Sequence, residues 1–166
     1  MEHFILKNNA ELIGELPKEL GGLQALRQLG VYNNNVGGSI PEEIFQATNL
    51  KFINLQNNDL TGQIPPKIES LEKLETLVLM NNQLTGSVPL GSLSSTKVSF
   101  LGLSHNKLSG SLPPLLGVLD TLEYLYLDGN TFGGELPTTI SQLTNLSEYM
   151  PLFKVSLSFS YRKSTH

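Results

Sequence analysis

The sequence predicts an α/β repeat fold: a right-handed solenoid of stacked units, with a parallel β-sheet on the concave face and short helical or 3-10 turns on the convex face. Three markers that share one period predict it. Prolines preceded by an aliphatic residue fall at Pro17, Pro41, Pro65, Pro89, Pro113 and Pro137, each 24 residues from the last. Glycines keep the same step from Gly14 to Gly134, and asparagines keep it at Asn34, Asn58, Asn82, Asn106 and Asn130. A fixed period of this length marks units that cannot bury their apolar face alone and must stack to share a core.

The apolar positions complete the unit. In the third full copy they are Leu71, Leu74, Leu77, Leu79, Leu84 and Val88, around Asn82, Gly86 and Pro89. The general form is LxxLxxLxLxxNxLxGxIP. An amphipathic helix could explain leucine spacing by itself, but a proline and a glycine in every 24 residues would break it.

Each position has a physical reason. Leu77-Val78-Leu79 alternates sides as a strand does, placing two leucines inward and their neighbours outward. The asparagine three residues later can donate and accept at once, so it suits backbone groups left unpaired where the strand ends. Stacked copies should therefore build a structural asparagine ladder from Asn34 to Asn130. The neighbouring Asn57 falls on the open face and is expected to tolerate Ala. Glycine suits a turn with unusual dihedrals. The aliphatic residue before proline is held extended, and proline suits the first position of a helical turn.

The copies divide the chain into a partial N-terminal unit, five full units and the start of another within 1–147, followed by an atypical tail over 148–166. The first unit has one extra residue between Asn9 and Leu12. At the other end Tyr149 and Pro151 stand where aliphatics should be. The tail from Lys154 to Tyr161 alternates apolar and polar residues, which fits either a strand capping the core or the remains of a truncated array.

Composition excludes several function classes. A net charge of −4 and a pI near 5.3 argue against a nucleic-acid surface, which needs concentrated Lys and Arg. No apolar run is long enough to insert in a membrane. With no cysteine there is no disulfide framework, thiol nucleophile or thiolate zinc site. His3 and His105 lie on strands four copies apart, roughly 19 Å at 4.8 Å per strand, too far to share a metal or proton, and neither a metal nor a cofactor is expected. No catalytic constellation is evident, so the chain is not expected to be an enzyme.

The LxGxIP segment, here LTGQIP at 60–65 and LTGSVP at 84–89, closely resembles the plant-type leucine-rich repeat of receptor-like kinase ectodomains, receptor-like proteins and polygalacturonase-inhibiting proteins. The resemblance covers about residues 4–147. It implies a recognition module with a protein or peptide ligand, a cell-wall oligosaccharide or a co-receptor as partner. It also implies an extracellular or secreted setting. Two departures stand out: the paired cap cysteines and a signal peptide are missing, and the chain starts almost inside a repeat, as a fragment would. The alternative reading is a non-catalytic piece of a larger receptor kinase. Asn145-Leu146-Ser147 fits the glycosylation triplet, which arises readily by chance in a chain this rich in Asn and Ser.

The concave face is where a ligand is expected. The residues flanking the inward leucines form columns: Gln28, Phe52, Thr76, Phe100, Tyr124; Gly30, Asn54, Val78, Gly102, Tyr126; and Tyr32, Gln56, Met80, Ser104, Asp128. Exposed aromatics on a sheet face mark binding, or else cross-strand packing. Phe100, Tyr124 and Tyr126 are expected to form one exposed patch, with Phe52 and Met80 nearby. His105, Ser104 and Asp128 would supply a polar edge, Asp128 favouring a cationic group. The end with Lys7, Asn54 and Gln56 is expected to contribute less.

Overall fold

The computed structural model describes residues 1–112 and 114–147, so the tail over 148–166 lies outside the described residues. Each unit is a short strand, a bend, an extended return and a tight turn. The strands β1 (His3–Glu15), β2 (Gln28–Gly37), β3 (Phe52–Asn54), β4 (Thr76–Val78), β5 (Thr85–Gly86), β6 (Phe100–Gly102), β7 (Lys107–Ser111), β8 (Tyr124–Tyr126) and β9 (Thr131–Gly133) fall into two layers. The concave sheet has the order β1-β2-β3-β4-β6-β8, with every neighbouring pair parallel. A second parallel sheet, β5-β7-β9, is extended toward the N-terminus by bridges between Ser39 and Thr61 and between Gln63 and Thr85.

The two sheets differ in register. Phe52 lies opposite Thr76, a step of 24, whereas Thr85 lies opposite Lys107, a step of 22. Between the sheets the chain therefore slants by two residues per copy. The extra residue of the first unit is absorbed where β1 breaks register, between Asn9 opposite Asn34 and Ile13 opposite Asn35.

The core is one continuous column. Leu29, Ile53, Leu77, Leu101 and Leu125 are buried beneath the sheet, joined by Val31, Leu55, Leu79, Leu103 and Leu127. Leu20, Ile44, Ile68 and Leu116 close it from the convex side, carried on 3-10 turns such as Glu42–Gln46 and Pro66–Ser70. These turns start one residue later than the repeat pattern suggests. Pro41 and Pro65 are extended caps, with φ near −65° and ψ near 130°, and not the first helical residue. A proline in this conformation ends the extended return, and the turn begins with the next residue, Glu42 in one copy and Pro66 in the following one.

The fourth copy departs from the others. Its turn is the short helix α1 (Leu90–Leu93), and Leu93 is buried where the period would place Ser92. With serine at 92 and 95, the apolar side chain that plugs the convex side has to come from the next residue.

The asparagine ladder forms as the repeat chemistry requires. The Asn82 side-chain amide donates to the carbonyls of Leu55 at 2.9 Å and Leu79 at 3.1 Å, and its oxygen accepts the Leu60 N–H at 3.0 Å. Asn58, Asn106 and Asn130 repeat this pattern. Asn34 differs at the insertion, where its oxygen accepts from the Asn9 N–H at 3.0 Å.

A second, exposed ladder runs beside it. Asn33 donates to Asn8 at 2.7 Å, Asn57 to Asn33 at 2.5 Å, and Asn81 to Asn57 at 2.7 Å. All four sit in the left-handed region, with φ between 53° and 59°. His105 takes the same conformation one copy on, at φ 56°. The expectation that Asn57 is inert on the open face is therefore corrected: it is exposed, but it holds two side-chain bonds and a backbone that most residues resist. Charges on the outer segments also pair across copies. Lys51 meets Glu75 at 2.7 Å, and Lys73 donates to Asn49 at 2.6 Å.

Candidate functional site

The register of the concave sheet sets the site. Phe52, Thr76, Phe100 and Tyr124 stand in one row across β3, β4, β6 and β8. The next row on the same face, two residues along, holds Asn54, Val78, Gly102 and Tyr126, all of them buried. Successive strands bring these side chains about 4.8 Å apart, within reach of each other.

The predicted aromatic cluster is present. The Phe100 ring lies 5.5 Å from that of Tyr124 and 5.3 Å from that of Tyr126, tilted by 37° and 41°. These are separations at which aromatic pairs attract beyond simple burial. Gly102 makes the cluster compact, because a Cβ there would collide with Met80 Cε and come within 3.2 Å of Phe100. Its missing side chain is the space those two side chains occupy.

One part of the expectation fails. Tyr126 is only 6% exposed, so it is a packed wall and not an open anchor. Burial, and after it the neighbouring Tyr124, raise its pKa above the ordinary 10.0. Phe52, Phe100 and Tyr124 are half-buried, each with a face left to solvent.

The polar edge is organised among its own members. Ser104 Oγ donates to Asp128 Oδ1, and His105 Nε2 lies 3.4 Å from Asp128 Oδ2. The Asp128 carboxylate is thus engaged on both oxygens before any ligand arrives. His105 is exposed, and its ring fills the space in which a side chain at position 129 would stand, opposite Gly129 at φ 66°. Asn145 is exposed on the convex side, with its amide donating to the Asp120 carbonyl at 2.7 Å.

A groove of about 480 Å³ opens on the concave face. Thr76, Val78 and Met80 form its floor, Phe52, Asn54 and Gln56 one wall, and Phe100 and Tyr126 the other. The centre of the hollow is therefore shifted toward β3 and β4 from where the aromatic count alone would put it. Asn54, Gln56 and Thr76 are the residues that sequence reasoning undervalued. The available signal was Thr76, a small residue between two phenylalanines of one column. Tyr124, His105 and Asp128 lie outside this lining. A wider hollow of about 720 Å³ runs beside the first turns, lined by Glu15, Lys18, Glu19, Glu42 and Glu43 among others, without any aromatic residue.

Among the described residues no group of three or more His, Cys, Asp or Glu is arranged to hold a metal ion. Among the same residues no helix is long and apolar enough to cross a membrane.

Comparisons with known proteins agree with this architecture. A family profile described as Leucine Rich repeats (2 copies) matches residues 48–92, and one described as Leucine Rich Repeat matches residues 97–119 and 121–143. Comparison with curated proteins returns no match. Among solved structures, the ectodomain of the Arabidopsis thaliana receptor kinase GASSHO1/SCHENGEN3, in complex with CASPARIAN STRIP INTEGRITY FACTOR 2, is similar over 88% of this chain, with 35% identity and a TM-score of 0.84. The Arabidopsis receptor kinase HAESA, in complex with the peptide hormone IDA and the co-receptor SERK1, is similar over 86%, with 36% identity and a TM-score of 0.81. A plant ice-binding protein is similar over 83%, with 31% identity and a TM-score of 0.78. The chain spans 17% of the first of these structures, 24% of the second and 45% of the third. On its repeats, its two parallel sheets and these matches, the chain belongs to the leucine-rich-repeat family, with plant receptor-kinase ectodomains among its structural neighbours.

Proposed function

We propose that this chain is a recognition module that takes a protein or peptide ligand on its concave face, as part of a receptor-like protein or an inhibitor. The observation that carries the reading is the groove between Phe52 and Phe100. It is the place on the concave sheet where half-exposed aromatic faces, an apolar floor and polar groups converge. Binding energy concentrates in such anchors when polar contacts surround them. The complexes of GASSHO1/SCHENGEN3 and HAESA with their ligands support it by similarity.

A second version is that the chain is the repeat portion of a larger receptor kinase whose catalytic domain lies elsewhere. What favours it is the similarity to the repeats of the receptor kinases GASSHO1/SCHENGEN3 and HAESA, of whose structures the chain spans 17% and 24%. The parent transcript separates the two: a membrane span and kinase motifs downstream point to the kinase. A co-receptor is a further proposed partner, as is a cell-wall oligosaccharide, and an extracellular setting goes with either.

The test is a peptide-array screen with the full chain, followed by affinity measurements on Phe52→Ala, Phe100→Ala and the convex-side variant Glu72→Ala. Loss of binding in the two phenylalanine variants with Glu72→Ala unaffected is expected. Binding abolished by Glu72→Ala and unchanged by both concave variants would overturn the reading.

A further inference from the structure

One edge of the solenoid is lined by residues that complement their own sequence in reverse. β1 stands at the end of the concave sheet, and among the described residues no strand pairs with its outer side. Eleven of its thirteen residues are exposed, with Ile5 at 47%, Leu6 at 41% and Ile13 at 75%. In β2, one strand further in, Leu29 and Val31 occupy the places of Phe4 and Leu6 and are buried.

That outer side presents unmet backbone groups. At the places of Ile5 and Lys7 in a later copy, the carbonyls of Val78 and Met80 accept from Leu55 and Asn57 of the copy before. At the places of Glu11 and Ile13, the N–H groups of Asp59 and Thr61 donate to Val36 and Gly38 of the copy before. β1 points the same groups outward, and an edge of this kind is a template for a further strand.

The sequence of β1 specifies which strand fits. The chain turns the corner between the concave sheet and the flank at Asn8, with φ 59°, so β1 has an arm on each side. Reversed about Asn9, the arms match: Lys7 falls opposite Glu11, Leu6 opposite Leu12, Ile5 opposite Ile13 and His3 opposite Glu15. A two-fold axis through the corner exchanges the arms of one copy with those of another and reverses the chain direction, which makes the pairing antiparallel. Positions that bond outward then meet positions that bond outward. Leu6 and Leu12, at core positions of the repeat, meet across the joint.

Two observations favour a second copy of this chain as the occupant. Neither Lys7 nor Glu11 has an ion-pair partner among the described residues. No later copy has the match either: Tyr32 and Asn35, Gln56 and Asp59, then Met80 and Gln83 stand where Lys7 and Glu11 do in β1. The complementarity is confined to the copy whose edge is free.

We propose that β1 is a self-association edge, through which two copies of this chain join antiparallel about Asn9, Lys7 of each pairing with Glu11 of the other. The concave sheet of one copy then runs on into the flank of the other. The groove over β3, β4 and β6 lies away from the joint, so the proposal stands independently of the ligand reading above.

The test is sedimentation velocity on the full chain from about 1 to 500 μM, a span that covers weak self-association. A dimer is expected within it. Lys7→Glu and Glu11→Lys each set like charges opposite one another twice in the dimer, so each should raise the dissociation constant about tenfold. The combined variant restores opposite charges and should recover association, and the convex-side Glu72→Lys should leave it unchanged. All three positions are exposed, so circular dichroism should show every variant folded as the wild type. The chain has no cysteine, which allows a check of register. A mixture of Ile5→Cys and Ile13→Cys should form an intermolecular disulfide, because Cα atoms in a hydrogen-bonded antiparallel pair are about 5.5 Å apart. Neither variant alone should do so.

A monomer at the highest concentration overturns the proposal. So does a dimer that neither charge reversal weakens, or a combined variant that associates as poorly as the single ones. Crosslinking of either cysteine variant alone, as readily as in the mixture, overturns it as well.

Discussion

The side-chain amide of Asn58 donates to the carbonyl of Val31, in the preceding copy, at 2.7 Å. The same asparagine accepts the Val36 N–H of that copy at 3.2 Å. One buried side chain thus closes the backbone of two units at the point where the chain leaves one sheet for the other. Asn58→Ala should leave a buried donor and a buried acceptor unpaired and cost about 1 to 3 kcal/mol in denaturant unfolding. Asn57→Ala should also be destabilising, by about 1 kcal/mol, because it puts Ala in a left-handed backbone and removes two exposed amide bonds. Asn57→Gly should recover part of that loss. A neutral Asn57→Ala would mean that the outer ladder contributes nothing to stability.

The turns of neighbouring copies approach closely at glycine. A Cβ at Gly21 would collide with the Glu43 carbonyl oxygen and lie 2.6 Å from its carbon, whereas one at Gly22 would meet nothing within 4 Å. The obstacle is backbone and cannot rotate away. Gly21→Ala is expected to lower stability by at least about 1 to 3 kcal/mol, with Gly22→Ala close to wild type. Matching unfolding midpoints for the two variants would show that the copies can separate at no cost.

The shifted plug of the fourth copy predicts a contrast that the repeat alone reverses. Leu93 is 1% exposed and Ser92 is half-buried. Leu93→Ala should cost about 2 to 5 kcal/mol, as for other buried leucines, and Ser92→Ala within about 0.5 kcal/mol. If Ser92→Ala instead proves the more damaging in thermal unfolding, α1 is not built around Leu93.

Stability should fall in strong alkali through Tyr126. Its phenol is held neutral by burial, then by Tyr124, so its pKa in the fold lies above the 10.0 of an ordinary tyrosine. Above pH 10 the unfolded chain releases this proton first, and the native state holds more protons than the unfolded one. Stability from this group is therefore complete below pH 10 and declines as pH rises toward the folded value. Tyr126→Phe should show a shallower loss between pH 10 and 12 than wild type. Identical slopes would place the Tyr126 phenol in water.

The period of 24 determined the fold class by itself, and the ladder from Asn34 to Asn130 with it. Each is a property of one copy repeated, so spacing and residue chemistry suffice to read it. The rows of the concave face were legible for the same reason, because equal copy length forces Phe52, Thr76 and Phe100 into register. What only the tertiary structure decided are the places where one copy differs from the next. Gly102 has no side chain, so Met80 and Phe100 lean into its space, while Tyr126, in contact with Phe100, is buried. The Asn54 oxygen turns to the Gln56 N–H, where Val78 one copy on has no polar group to offer. Asn33, Asn57 and Asn81 join into a chain because left-handed backbones bring their amides into line. These outcomes depend on the size and rotamer of a neighbour 24 residues away, which a periodic pattern averages over and only packing resolves.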